Sequence, residues 1–223
     1  MEMDVLEHLH PKLLPALDML PQDKPVALVT RHSIREEPKN QFAGYDVPLT
    51  ALGVELAQAY GKTLSRPIAS FFSSPVGRCV DTATAMAKGI GIDIPVTTHS
   101  CLVEPGSYVI DLPVAGPYFF KLGALEFAQK HLRNEVRGVL SPEEGARKLL
   151  RHLKQNLGSD GTLSVHVTHD TILAAFIYFL RKEHDLDQSH WPWMMEGVFL
   201  WFEANAVKWV WRGELGHFEV CLD

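Results

Sequence analysis

Residues 26–35 read Val26-Ala27-Leu28-Val29-Thr30-Arg31-His32-Ser33-Ile34-Arg35, an apolar run that ends in two arginines and a histidine. A short apolar run after Pro25 is typical of a buried strand in an α/β sheet. Ligands of such sheets bind beyond the carboxyl ends of the strands, which is where Arg31, His32 and Arg35 fall. The stretch therefore predicts a site for phosphate or carboxylate, which the guanidinium groups would hold. A solvated Arg-His-Arg surface turn is the alternative that this stretch alone leaves open.

The composition limits the classes of function. The chain has 223 residues, enough for a substantial α/β domain, and a net charge of −6. This charge argues against general attraction to nucleic acid or to an anionic membrane, so an anion site must be local. Residues 1–10 lack a secretory signal, and the longest apolar run, 172–180, is too short to span a bilayer. Cys79, Cys101 and Cys221 are few and widely spaced, which indicates free thiols, so we expect a cytoplasmic protein.

The order of predicted elements gives the fold class. Strands predicted from Val26 and at 68–72, 94–98 and 162–168 alternate with helices predicted at 54–64, 76–89, 142–157 and 170–182, with an amphipathic helix at 11–20 before them and a hairpin at 197–211 after them. This alternation predicts a three-layer α/β/α sandwich with a mostly parallel central sheet. Residues 107–140 are irregular, with a helix predicted only at 118–133, and we interpret them as a small helical insertion over the site. The whole chain, 1–223, is expected to form a single domain with this cap.

Three further strand ends carry candidate functional residues. Arg78 falls in the first turn of the helix that follows Ser73-Ser74-Pro75, where a cation opposes the helix dipole unless an anion lies nearby. His169 and Asp170 directly follow the strand at 162–168, although an aspartate that opens a helix is also a common N-cap. Glu104 lies on the loop after the third strand, where an ordinary turn residue is the alternative.

Three segments resemble the signatures of the histidine phosphatase superfamily, which has the phosphoglycerate mutase-like fold. They are Thr30-Arg31-His32-Ser33-Ile34-Arg35, Ser73-Ser74-Pro75-Val76-Gly77-Arg78-Cys79-Val80-Asp81-Thr82-Ala83 and Val167-Thr168-His169-Asp170-Thr171-Ile172-Leu173. They occur in the superfamily's order, each after a predicted strand, and the helix start at 48–53 is similar as well. The resemblance covers residues 25–180 apart from 107–140. Ser33 stands where the family pattern usually has glycine, and the His169-Asp170 pair resembles the acid-phosphatase branch.

The resemblance implies a metal-independent phosphatase that needs no cofactor. His32 would attack phosphorus and form a phosphohistidine. The phosphate would be bound by Arg31, Arg35, Arg78 and His169. Asp170 or Glu104 would protonate the leaving oxygen and later assist water. His166 and His169 start on opposite faces of a strand, which disfavours a shared metal, and His166 is interpreted as a core residue.

The sequence leaves alternatives open on activity and partners. A phosphoglycerate-mutase-like phosphotransferase and a catalytically weak phospho-ligand binding module are the rivals, and Ser33 favours the second. The substrate is expected to be a small phosphomonoester or a phosphoprotein, with specificity set by residues 107–140 and 36–46. We expect no nucleic-acid or membrane partner. The oligomeric state stays open: the tryptophans most simply pack the edge hairpin, and a homodimer patch is the alternative.

Overall fold

The computed structural model of the protein describes residues 2–38 and 44–219. Its strands are β1 (Val26–Arg31), β2 (Ile68–Ser73), β3 (Val96–Thr98), β4 (Leu163–Thr168), β5 (Gly197–Phe202), β6 (Ala206–Trp211) and β7 (Glu214–Glu219). Its helices are α1 (Glu2–Leu6), α2 (Ala51–Thr63), α3 (Gly77–Ile90), α4 (Leu112–Leu132), α5 (Pro142–Gln155) and α6 (Asp170–Arg181), with short 3₁₀ helices at Pro15–Met19, Ser100–Leu102 and Gln188–His190. Cys221 and residues 39–43 of the predicted specificity loop at 36–46 lie outside the described residues.

The strands form one sheet in the order β3-β2-β4-β1-β5-β6-β7. The first four pair in parallel, and β5, β6 and β7 extend the sheet in antiparallel fashion. The predicted α/β fold with a parallel sheet core is thus confirmed. Because Arg31 is in register with Thr168, and Ser73 with Val167, the ends of β1, β4 and β2 lie side by side.

The central strand β1 is buried along its whole length, which explains its continuous apolar run. Val26 and Leu28 belong to one core cluster, together with buried residues of α2 and α3. Ala27 and Val29 belong to another, together with buried residues of α4, α5 and α6. The side chains of β1 alternate between the two faces of the sheet. Each face packs against helices, so β1 is buried on both sides.

The inserted segment differs from its prediction. The helix α4 begins at Leu112, six residues before the predicted start at 118, because Asp111 caps it and Pro113 falls in the first turn, where a missing N–H is tolerated. The main irregularity is instead at Gly123, whose φ of 76° interrupts the helix. None of the helices within residues 2–38 and 44–219 has the length and apolar character that crossing a membrane requires.

The two ends of the chain also differ from their predictions. The prediction of an amphipathic helix at 11–20 is wrong: the segment forms only the 3₁₀ helix Pro15–Met19, which starts at the proline. The hairpin predicted at 197–211 is present as β5 and β6, but β7 was not predicted. Of the tryptophans expected to pack there, Trp201, Trp209 and Trp211 are buried, whereas Trp193 is 45% exposed.

Candidate active site

The ends of three parallel strands bring the candidate residues together. The N–H of His32 donates to the carbonyl of Thr168 over 3.0 Å, and the N–H of Ser74 donates to that of Val167 over 2.9 Å. The rings of His32 and His169 consequently lie with their centroids 5.6 Å apart. The juxtaposition that the three segments predict is therefore present, and it depends on strand register rather than on loop conformation.

The ring of His32 is held with its Nε2 atom facing Arg78. Its Nδ1 lies 2.8 Å from the carbonyl oxygen of Ser33, and since a carbonyl can only accept, Nδ1 carries the proton and donates. Nε2 is therefore unprotonated, and its lone pair accepts from Arg78 Nε over 3.1 Å. Burial, and then the charge of Arg31, holds the pKa of His32 well below its ordinary value. The side chain is thus neutral at physiological pH, as a nitrogen nucleophile must be.

Arg31 is fixed from two sides. Its Nη2 forms an ion pair with Asp170 Oδ2 at 2.8 Å, and its Nη1 donates to the carbonyl of Pro192 over 2.6 Å. Burial would raise the pKa of Asp170, but the charge of Arg31 outweighs it, together with His32, His169 and the N–H of Thr171, so the pKa lies below its usual value. The carboxylate of Asp170 is therefore ionised in the unliganded site.

Arg78 connects His32 with His169. It is the second residue of α3, the first-turn position that the sequence predicts, and its Nη1 donates to the carbonyl of Gly44 over 2.9 Å. Its Nη2 lies 3.3 Å from His169 Nδ1, so Nδ1 accepts and Nε2 donates to Ser74 Oγ over 2.9 Å. Burial, and then the charge of Arg78, lowers the pKa of His169 to about 4. Both histidines are thus neutral, and the positive charge belongs to the arginines.

Ser33 fits its position without backbone strain. The non-glycine residues with positive φ in the described part of the chain are Asn134, Lys182, Met195 and Arg212. Ser33 is fully buried, its hydroxyl donates to the carbonyl of Gly53 over 2.7 Å, and its N–H donates to Thr82 Oγ1 over 3.0 Å. A Cβ on Gly53 would lie 2.0 Å from the carbonyl oxygen of Ile34, so glycine is needed where α2 packs against this segment. The serine therefore ties the residues after His32 to two helices.

Two predicted site residues make their direct contacts elsewhere. Arg35 Nη1 donates to the carbonyl of Glu36 over 2.9 Å, although its charge adds to burial in lowering the pKa of Arg31 and Arg78. The carboxylate of Glu104 accepts from the N–H groups of Tyr108 and Val109, each at 2.8 Å, and from Ser107 Oγ at 3.2 Å. Burial raises the pKa of Glu104 to about 7 against the effect of these donors. Within the described residues, the hydrogen bonds of Glu104 therefore organise the turn at 104–109.

Three groups at the site were missed from the sequence. Ser74 contacts His169, and the position of Ser74 directly after β2 is the sequence feature that could have identified it. The carbonyls of Gly44 and Pro192 bind the two arginines, and backbone carbonyls carry no sequence signal. Among residues 2–38 and 44–219, no group of three or more His, Cys, Asp and Glu side chains is arranged to hold a metal ion.

The chain is similar to known proteins in part of its sequence and in its fold. Residues 27–108 match the model of the histidine phosphatase superfamily (branch 1). No match was found among curated protein sequences. The match ends before His169 and Asp170, so it does not bear on the acid-phosphatase-like pair.

Solved structures of phosphatases and of a mutase share the fold. A mycobacterial glucosyl-3-phosphoglycerate phosphatase is 18% identical, with 88% of this chain and 99% of that chain covered and a TM-score of 0.55. A phosphoglycerate mutase from Bacillus anthracis str. Sterne is 18% identical, with 89% and 94% covered and a TM-score of 0.54. A phosphoserine phosphatase mutant from Entamoeba histolytica, in complex with phosphoserine, is 16% identical, with 86% and 96% covered and a TM-score of 0.57.

These comparisons agree with the strand-end geometry. The family match includes the segment of His32 and the segment of Arg78. The solved structures extend the likeness in fold, though not in sequence, over most of the chain. The resemblance to the histidine phosphatase superfamily is thereby confirmed, in sequence over residues 27–108 and in the phosphoglycerate mutase-like fold beyond them.

Proposed function

We propose that this protein is a phosphatase that hydrolyses a phosphomonoester through a phosphohistidine on His32. The observation that carries the proposal is the orientation of the His32 ring. Nδ1 is committed to the carbonyl of Ser33, which leaves the unprotonated Nε2 beside Arg78 at the end of β1. A neutral imidazole nitrogen among fixed cations suits attack on a phosphoryl group whose negative charge those cations stabilise.

In the first step, the lone pair of His32 Nε2 forms a bond to phosphorus while the bond from phosphorus to the ester oxygen breaks. Arg31 and Arg78 would neutralise the phosphoryl oxygens. His169 would donate from Nε2 by exchanging its bond to Ser74 Oγ for one to the phosphoryl group. Arg35 would contribute its charge from the edge of the site, since it acts on both other arginines. The electron pair of the broken bond passes to the leaving oxygen, which needs a proton when it belongs to an alcohol.

We assign the proton donor to Asp170 rather than to Glu104. Asp170 forms an ion pair with Arg31 at 2.8 Å, so it lies next to the group that would bind the phosphate. The substrate phosphoryl group would compete for Arg31 and bring negative charge near the carboxylate, and both effects raise a carboxyl pKa. In the unliganded protein the pKa of Glu104 is better suited to proton donation, but its carboxylate oxygens accept from N–H groups of the turn at 104–109. In the second step, Asp170 takes a proton from the water that displaces His32 from phosphorus.

The substrate is proposed to be a small phosphomonoester or a phosphorylated protein side chain, and catalysis is proposed to need no metal ion. The described cysteines, Cys79 and Cys101, are free and buried, which supports the proposal of a reducing compartment such as the cytoplasm. A phosphotransferase would use the same phosphohistidine but pass the group to an acceptor other than water.

The test is to trap the intermediate. Wild-type protein quenched during turnover of a radiolabelled phosphomonoester should contain an acid-labile, base-stable phosphoryl group, and His32→Ala should contain none while remaining folded. His166→Leu is the matched control, because His166 is fully buried on β4 and its ring nitrogens have no hydrogen-bond partner to lose. Turnover retained in His32→Ala would refute the assignment. Label that passes to an added alcohol instead of appearing as orthophosphate would favour the phosphotransferase.

A further inference from the structure

The segment at 192–196 forms a wall of the site although it belongs to none of the three signatures. The carbonyl of Pro192 accepts from Arg31 Nη1 over 2.6 Å, and the carbonyl of Glu196 accepts from the Arg31 N–H over 2.9 Å. The N–H of Met195 donates to the carbonyl of His32 over 3.3 Å, and the carbonyl of Met195 accepts from Thr30 Oγ1 over 2.8 Å. This wall therefore touches both the backbone and the guanidinium of the residues at the end of β1.

A buried ion pair holds the wall in place. Glu196 is 1% exposed, and its carboxylate accepts from Arg212 Nε over 2.7 Å, from Arg212 Nη2 over 3.1 Å and from the N–H of Trp193 over 2.8 Å. The same guanidinium donates to the carbonyls of Ser189 at 3.0 Å and Trp191 at 3.3 Å. Arg212 thus binds the chain on both sides of Pro192.

The backbone on each side of this ion pair is also unusual. Met195 has a φ of 62° and Arg212 a φ of 49°, the left-handed region that costs a side-chain-bearing residue free energy. Replacing a buried ion pair with apolar residues is often neutral or stabilising, so stability alone is a weak reason for one. A functional geometry is the stronger explanation for both features.

We propose that the Glu196–Arg212 pair is a positioning device for Arg31. It fixes the carbonyl of Pro192, and this carbonyl shares the guanidinium of Arg31 with Asp170. The pair thereby sets the direction in which Arg31 meets the phosphoryl group, without touching the substrate itself. The inference rests on the proposed function, because it assumes that Arg31 binds phosphate. It adds the residues that flank β5 and β6, at the open end of their hairpin, to a site otherwise built at the ends of β1, β2 and β4.

The chain offers a matched control in Arg181. The guanidinium of Arg181 lies 4.8 Å from the ring centroid of Trp211, and that of Arg212 lies 4.6 Å from the same centroid. Their side chains are 16% and 14% exposed. The ion pairs of Arg181, however, are with Glu183 and Glu214, away from the wall at 192–196. Arg181→Gln therefore controls for the loss of a largely buried arginine beside Trp211. Arg212→Gln should lower the thermal unfolding temperature further, because it leaves the buried carboxylate of Glu196 without its cation.

The test is a double-mutant cycle on orthophosphate affinity, measured by calorimetry and by competitive inhibition. Arg212→Gln should weaken orthophosphate binding about tenfold, equivalent to about 1.4 kcal/mol and within the range of coupled neighbours. In an Arg31→Gln background the same change should have almost no effect, and Arg181→Gln should have little effect in either background. Arg212→Lys should recover only part, because it cannot grip the carboxylate with two parallel bonds.

Equal effects of Arg212→Gln with and without Arg31 would overturn the positioning role. So would equal losses of affinity in Arg212→Gln and Arg181→Gln. If Arg212→Gln does not fold, Glu196→Gln, which keeps the side-chain shape and removes one charge, takes its place in the cycle. A wild-type protein that neither binds orthophosphate nor hydrolyses any phosphomonoester would refute the proposed function first. An additive cycle in an active enzyme refutes this inference alone.

Discussion

The choice between Asp170 and Glu104 as proton donor leads to a sharp prediction about leaving groups. An alkoxide needs a proton to leave, whereas nitrophenolate leaves without one. Asp170→Asn should therefore impair hydrolysis of an alkyl phosphate far more than hydrolysis of nitrophenyl phosphate. Glu104→Gln should change the hydrolysis of the two substrates by the same factor, because the carboxylate of Glu104 accepts hydrogen bonds within the turn at 104–109.

The expected size of the contrast follows from the contacts of Asp170. A positioned general acid contributes about 10²- to 10⁴-fold, or about 3–5 kcal/mol, and this is the expected loss of kcat/KM for the alkyl ester, which reports the first step and not the later attack of water. The asparagine carbonyl can still accept from Arg31 Nη2, and Arg31 Nη1 still donates to the carbonyl of Pro192. For the nitrophenyl ester, kcat/KM should fall less than about tenfold. The substitution replaces a charged hydrogen bond to Arg31 with a neutral one, a difference of about 1 kcal/mol. Removing a negative charge beside Arg31 should also leave phosphate binding unchanged or tighter.

The assay is steady-state kinetics of both variants on both esters, with folding checked by circular dichroism. The ratio of kcat/KM values for the nitrophenyl and alkyl esters should rise at least tenfold in Asp170→Asn relative to the wild type. It should not change in Glu104→Gln. If the ratio rises only in Glu104→Gln, Glu104 is the acid and Asp170 is merely the partner of Arg31.

The remaining predictions concern the arginine, metal ions and acid stability. Arg78→Ala should lower kcat/KM about 10²-fold, as loss of a transition-state donor does, and Arg78→Lys should recover only part; wild-type kinetics in Arg78→Ala would show that the phosphate binds elsewhere. Activity should be unchanged in excess chelator, and a loss that added Mg²⁺ or Zn²⁺ restores would exclude the proposed mechanism. Burial, and then the charge of His99, lowers the pKa of His152 from 6.5 to about 4, so the unfolded chain binds more protons between these pH values. The free energy of unfolding should fall as pH falls through this window, by up to about 1.4 kcal/mol per pH unit for this histidine, and urea unfolding of His152→Gln should show a shallower dependence.

The parts of the site that the sequence predicts are those that depend on local pattern. An apolar strand followed by basic residues identified Arg31 and His32, and a first-turn cation identified Arg78. The structure brings these residues together because β1, β4 and β2 pair in parallel register and end side by side. The buried position of His166, stacked on Phe72 with centroids 5.0 Å apart, was predictable for the same reason of strand periodicity.

The parts that the sequence did not predict depend on contacts between distant segments. The strand β7 has only one buried residue, Phe218, and exists because it pairs with β6, not because its own residues favour a strand. The sequence predicts a helix only from 118, but α4 begins at Leu112, continues through Pro117 and is interrupted at Gly123 instead. Glu196 and Arg212 lie 16 positions apart, and neither shows by residue type that it will be buried against the other.

The charges of the site show how a chain with net charge −6 could bind a phosphomonoester and activate it with the same residues. His32 and His169 are neutral, so the local positive charge comes from the arginines, and Asp170 compensates part of it. A phosphoryl dianion that takes the place of this carboxylate on Arg31 removes what keeps the pKa of Asp170 low, and adds a like charge that raises it. Binding would thus produce the protonated acid that the first step needs. The apparent pKa of Asp170 should then be higher in the pH profile of kcat, which reports the complex, than in that of kcat/KM, which reports the free enzyme. If activity falls with rising pH at the same apparent pKa in both profiles, and this fall is absent in Asp170→Asn, then Asp170 titrates independently of the substrate.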